Sequence, residues 1–152
     1  MFARIISLSA ALVLPLLADP VKLDDLGTQI VGKPALTQSD LEGKLLVVHL
    51  WEAHCGACRT AVPAFEKEMR SKKKYATAVI VHRHDKQELA ESVADDLGLK
   101  LPVFHNPKKI PQLKMKTWPC AIIITPDGEV AYSGSPGKDF DKALRDARKS
   151  LP

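Results

Sequence analysis

The chain has 152 residues, 45% of them hydrophobic, 26% charged and 5% aromatic, with a formal net charge of +4. That length carries one domain with its own core and excludes two ordinary ones, and the composition is that of a globular protein. Much of the positive excess sits at Lys72-Lys73-Lys74, near Lys67 and Arg70, where it reads first as a solvated helix end and second as a docking patch for an acidic partner or membrane surface. So few aromatics accompany it that it speaks against nucleic-acid binding.

Residues 1–18 read as a targeting segment. Arg4 supplies a positive start, Ile5 to Leu17 is almost wholly apolar, and Ala18 suits the last position before cleavage. Leu16 is larger than the small residue usual at its place, so retention as an uncleaved N-terminal anchor is the second expectation. The segment is shorter than the roughly 20 residues a membrane-spanning helix needs. The expected division is therefore 1–18 as signal peptide or anchor and 19–152 as a single domain. Export implies an oxidising compartment, where Cys55 and Cys58 form the obvious pair and Cys120 is left over.

Asp19 to Lys44 is a loop-rich lead-in with one or two short strands, punctuated by Gly27, Gly32 and Pro34. Leu45 to Leu50 is a continuous apolar run broken only by His49, which suits a central strand covered on both faces. It leads into Leu50-Trp51-Glu52-Ala53-His54-Cys55-Gly56-Ala57-Cys58-Arg59, a strand–turn–helix junction with two cysteines three apart. A thiol in the first turn of a helix meets unpaired backbone N–H groups and the positive end of the dipole, both of which favour the nucleophilic thiolate. Cys55 is the candidate attacking thiol and Cys58, one turn on along the same face, the candidate resolving thiol.

A helix is expected from Thr60 to Arg70, with Ala61, Val62, Phe65 and Met69 inward and a kink at Pro63. A second strand covers Tyr75 to Val81, and a helix from Asp85 to Leu97 stops at Gly98. Leu99 to His105 is a short extended piece, and Pro107 to Met115 reads as a short basic helix. His82-x-His84, at the end of the second strand, reads as surface polarity. Thr117-Trp118-Pro119-Cys120 opens a buried strand through Thr125, Pro126-Asp127-Gly128-Glu129 is a hairpin signal, and Val130 to Gly134 returns. Lys138 to Leu151 closes the chain as an amphipathic helix with Phe140, Ala143, Leu144 and Ala147 inward. This alternation predicts an α/β fold, a largely parallel sheet with helices on both faces and an antiparallel edge from the hairpin.

Trp51 to Arg59 with Pro63 beyond it, Thr117-Trp118-Pro119 before an apolar strand, and the Pro126-Asp127-Gly128 hairpin resemble the active-site signature, cis-proline loop and closing hairpin of the thioredoxin superfamily. Asp85 to Asn106, Gly32-Lys33-Pro34 and Leu41-Glu42-Gly43-Lys44 resemble the insertion and lead-in of its exported TlpA/ResA/DsbE-like branch. The match covers roughly Val31 to Leu151. It implies a thioredoxin-like three-layer sandwich, a central mixed, largely parallel sheet flanked by helices, with a helix-containing insertion around 85–106. The implied activity is that of a thiol–disulfide oxidoreductase of the bacterial periplasm, monomeric, reducing protein disulfides with no cofactor beyond its cysteine pair. Apocytochrome c is one substrate class and a membrane thiol reductase the electron donor.

The resemblance assigns exchange to Cys55 and Cys58. It gives a cis Pro119 the role of presenting a backbone edge to the partner, and offers Trp51 and Trp118 as an apolar rim, or alternatively as core packing. His54 and Arg59 flank the cysteines and would steady a thiolate. His49 stands where thioredoxins carry a buried acid that moves protons to the second cysteine, and an imidazole suits that work because its ordinary pKa is near neutral; a core histidine bonded elsewhere is the other reading. The dipeptide Gly56-Ala57 lacks the proline of many thioredoxins and the histidine of strong oxidants. Cys120 stands where threonine is common and reads as an inert strand residue. Alternatives are a disulfide donor or isomerase of the same fold, a copper-binding chaperone using Cys55, Cys58 and one of His54, His82, His84 or His105, and a non-catalytic interaction domain.

Overall fold

Six strands form one sheet in the order β1-β4-β3-β2-β5-β6. They are β1 Thr28–Val31, β2 Leu45–Trp51, β3 Ala76–His82, β4 Val103–His105, β5 Cys120–Ile124 and β6 Val130–Gly134. The helices are α1 Gly56–Met69, α2 Gln87–Asp96 and α3 Lys138–Lys149. This computed structural model describes residues 18–84 and 86–152, so the expected targeting segment lies outside the described residues but for its last position. Among the described residues no helix is long and apolar enough to cross a membrane.

β2 and β3 are buried along their whole length, as their continuous apolar runs predict for strands covered on both faces. The steps β2–α1–β3 and β3–α2–β4 both move the same way across the sheet. Two right-handed crossovers in one direction must put their helices on one face. α3 joins them there: its Phe140, Leu144 and Ala147 share a core with Cys58, Val62 and Phe65 of α1 and Val93 and Ala94 of α2. The opposite face, Leu46, Val48, Leu50, Val79 and Val81, is covered by Leu26, Leu41 and Leu113, which come from 3-10 turns and irregular segments. The three layers hold, but the expectation of α-helices on both faces does not.

The sheet is mixed, with parallel pairing confined to β2–β3 and β3–β4. The pairs β1–β4, β2–β5 and β5–β6 are antiparallel, so the antiparallel share exceeds the expected edge. The reason lies in 106–119. That stretch carries no crossover helix, so the chain leaves β4 and starts β5 at the same end of the sheet, and β5 must run back. The basic helix expected over Pro107–Met115 is only a 3-10 turn at Pro111–Leu113. Pro107 and Pro111 have no N–H to give a longer helix. α1 starts at Gly56, earlier than its apolar spacing suggests, and continues through Pro63.

Glu66 ties α1 to the segment before β4. Its buried carboxylate accepts the N–H groups of Lys100 at 2.7 Å and Leu101 at 3.0 Å, and pairs with Arg70 at 2.8 Å. Burial alone would raise its pKa, but Arg70 and the two backbone donors outweigh it and hold the carboxyl below its usual range. At the opposite edge of the sheet Ala18 and Asp19 run against the β5–β6 turn. A Cβ at Gly128, whose φ is +90°, would lie 2.3 Å from the Asp19 carbonyl oxygen, so only glycine fits there.

Candidate functional site

β2 ends at Trp51, and a tight turn follows in which the Cys55 N–H donates to the Glu52 carbonyl at 3.0 Å. Cys55 is the N-cap of α1: its sulfur accepts the Cys58 N–H at 3.1 Å. The two cysteines are joined as a disulfide with a Cα–Cα separation of 5.2 Å. Cys55 is only half-buried whereas Cys58 is fully enclosed. A partner therefore reaches one sulfur of the pair, the one at the positive end of the helix.

β5 starts beside this turn because Cys120 pairs with Leu50. The Trp118–Pro119 peptide is cis, and both residues are half-buried. Trp118 packs against the cores on both sides of the sheet. Trp51 differs from the expected rim: its ring is fully enclosed, edge-on to His82 at 5.3 Å, so it supports the turn from beneath and does not meet a partner. His54 and Arg59 are exposed on either side of the cysteines.

His49 lies on the α1 face of β2, between Val47 and Trp51, with its ring 5.0 Å from that of Phe65. It is fully buried, and neither ring nitrogen has a hydrogen-bond partner among the described residues. Burial pushes its pKa down to about 4. The near-neutral pKa expected of it is therefore absent in this oxidised form.

Cys120 is also fully buried, but it faces the other side of the sheet, among Leu50, Val81 and Ile122. The whole sheet separates its sulfur from Cys58. Cys120→Ala is expected to leave the rate of disulfide exchange within about twofold of the parent while costing about 1 kcal/mol of stability for the lost packing; a large loss of rate would show coupling through the sheet.

The histidines depart furthest from expectation. His82 is fully buried, not surface polarity. Its Nε2 accepts the Ala53 N–H at 3.3 Å, and its Nδ1 lies 3.0 Å from Nδ1 of His105. His84 is exposed, with Nε2 3.8 Å from a Glu52 carboxylate oxygen. The pairing of His82 with His105 escaped sequence reasoning. Its only signal was that two neighbouring apolar runs, Ile80-Val81-His82 and Val103-Phe104-His105, each end on histidine. Among the described residues no group of three or more His, Cys, Asp or Glu could hold a metal ion.

The model of the AhpC/TSA family matches residues 15–133. A curated relative, thiol-disulfide oxidoreductase ResA of Oceanobacillus iheyensis, is 26% identical over 103 residues, which make up 66% of this chain and 54% of that protein. The chain thus spans about half the length of that relative. Among solved structures, a thiol-disulfide isomerase of Corynebacterium glutamicum aligns with a TM-score of 0.68 at 23% identity, over 88% of this chain and 96% of that one. A secreted Mycobacterium tuberculosis disulfide oxidoreductase homologous to E. coli DsbE aligns with a TM-score of 0.57 at 14% identity, over 83% and 98%. Likeness at these identities establishes the fold. Together with the family match it bears out the resemblance to the thioredoxin superfamily and its TlpA/ResA/DsbE-like branch.

Proposed function

The chain belongs to the AhpC/TSA family, and from that premise we propose that it is an exported thiol–disulfide oxidoreductase that reduces disulfides in partner proteins. One observation carries the reading: of two sulfurs at a helix N-terminus, one is accessible and the other enclosed. In the reduced protein the Cys55 thiolate attacks one sulfur of the partner disulfide, forming a mixed disulfide and releasing the partner's other sulfur as thiolate. Deprotonated Cys58 then attacks the Cys55 sulfur, closing the Cys55–Cys58 bond and freeing the partner as a dithiol once protons are taken up. Two electrons pass to the partner, and a membrane thiol reductase restores the pair.

Pro119 and Trp118 would receive the partner's chain beside Cys55, with His54 and Arg59 steadying the thiolate. His49, the candidate acceptor for the Cys58 proton, is held neutral down to about pH 4 by its apolar site and is too weak a base there to take a proton from a thiol. Apocytochrome c is the substrate class favoured by likeness to the branch. Export into the periplasm rests on residues 1–18.

The test is the equilibrium of the mature protein with a glutathione series, alongside reduction of a model protein disulfide. A potential near or below about −200 mV, with turnover under a thiol donor, is expected of a reductase. A value near about −120 mV would make the protein a disulfide donor instead. Failure to cycle would move the copper-binding and interaction-domain readings forward.

A further inference from the structure

β2, β3 and β4 run parallel, and their last residues are in register, so Trp51, His82 and His105 stand side by side at the end of the sheet that carries the disulfide. His82 reaches back to the turn: its Nε2 accepts the N–H of Ala53, two residues before Cys55. A ring nitrogen that accepts an N–H carries no proton, so a neutral His82 holds its proton on Nδ1. That proton points at Nδ1 of His105, 3.0 Å away, with the two rings stacked at 5.2 Å. Nδ1 of His105 must then accept, which leaves the His105 proton on Nε2. Among the described residues, His105 thus favours the tautomer in which His82 offers Nε2 to the turn, as an outer partner fixes the tautomer of a ligand histidine. In the other tautomer two N–H groups would oppose each other in a buried place.

Two hydrogen bonds among the described residues tie the turn to the end of β3. Ala53 is held by the His82 side chain, and the Trp51 carbonyl accepts the Arg83 N–H at 3.2 Å. The second contact is backbone and indifferent to residue type. The first depends on a particular imidazole in a particular tautomer. We propose that His82 and His105 are positioning residues for Cys55: His105 sets the His82 tautomer, His82 holds Ala53, and the held turn seats Cys55 as the cap of α1, where the Cys58 N–H meets its sulfur. The proposal extends the exchange reading to residues that touch neither sulfur.

The readout is the alkylation rate of the reduced full chain by iodoacetamide at neutral pH, with the melting temperature alongside. Cys58 and Cys120 are enclosed, so the fast phase reports Cys55. A glutamine amide reaches about as far as Nε2, and an asparagine amide only as far as Nδ1. His82→Gln keeps an acceptor for Ala53 and is expected to stay within about twofold of the parent, whereas His82→Asn slows alkylation about fivefold, the worth of one hydrogen bond. At the partner position His105→Asn, which still offers an acceptor, retains the rate, and His105→Leu slows it like His82→Asn. The second pair keeps the test open if a His82 variant fails to fold. Equal losses for the glutamine and asparagine variants, or losses that follow melting temperature and not the acceptor pattern, would overturn the proposal. A parent protein with a fast Cys55 that reduces no protein disulfide would remove the exchange reading while leaving this one standing.

Discussion

Cys55→Ser abolishes reduction of protein disulfides, by at least about a thousandfold, and Cys58→Ser turns the protein into a trap for its partners. The two outcomes differ because the sulfurs differ in place. Cys55 alone is reachable from outside, and it sits where helix N–H groups stabilise the thiolate. Without it no attack begins, since Cys58 is enclosed on the inner face of α1. With Cys55 present and Cys58 lost, the first attack still occurs but the second does not. The mixed disulfide then persists and appears on a non-reducing gel as a partner-sized mass increase that a reductant removes. Because the trapped protein can be identified by mass, the same variant tests whether apocytochromes are the substrates. Turnover retained by Cys55→Ser would end the assignment of the nucleophile.

His49→Leu is expected to flatten the loss of stability in acid. An unfolded histidine takes up its proton near 6.5, whereas the buried ring resists until about 4. Between those values the unfolded chain holds the extra proton, so stability falls as pH drops through that window and is fully present above it. From pH 7 to about pH 4.5 this one residue costs about 2–3 kcal/mol. Urea unfolding at the two pH values measures it. The leucine variant should lose that much less, and at neutral pH it should be at least as stable as the parent, because it removes two ring nitrogens that have no partner among the described residues. An unchanged pH dependence would mean that water or a shift of the ring satisfies His49 in solution.

The parts of the molecule legible in the sequence were those whose signal is local. The apolar run Leu45 to Leu50 ending in the cysteine turn, the stripe Phe140-Ala143-Leu144-Ala147, and the Pro126-Asp127-Gly128 turn each carry their own pattern. What escaped depends on partners far along the chain. Nothing near His82 shows that it is buried, because its acceptor role faces Ala53 and its other nitrogen faces His105. Apolar spacing marks which side of α2 is inward but not which face of the sheet it meets; that follows from strand order, a long-range property. Trp51 could read as rim or core from composition alone, and only the register of β2 beside β3 encloses it. Pro107 to Met115 misled because its lysines and apolar residues suit a helix while its prolines do not.

Ala18 and Asp19 lie against the β5–β6 turn. That turn lies at the pole opposite the disulfide, because β5 begins beside Leu50 and runs away from it. Ala18 and Asp19 therefore sit at the far pole, a full length of β2 from the cysteines, or about 20 Å for seven residues. A partner protein that docks at Cys55 and anything that holds the domain by its Ala18 end therefore meet opposite poles, and neither blocks the other.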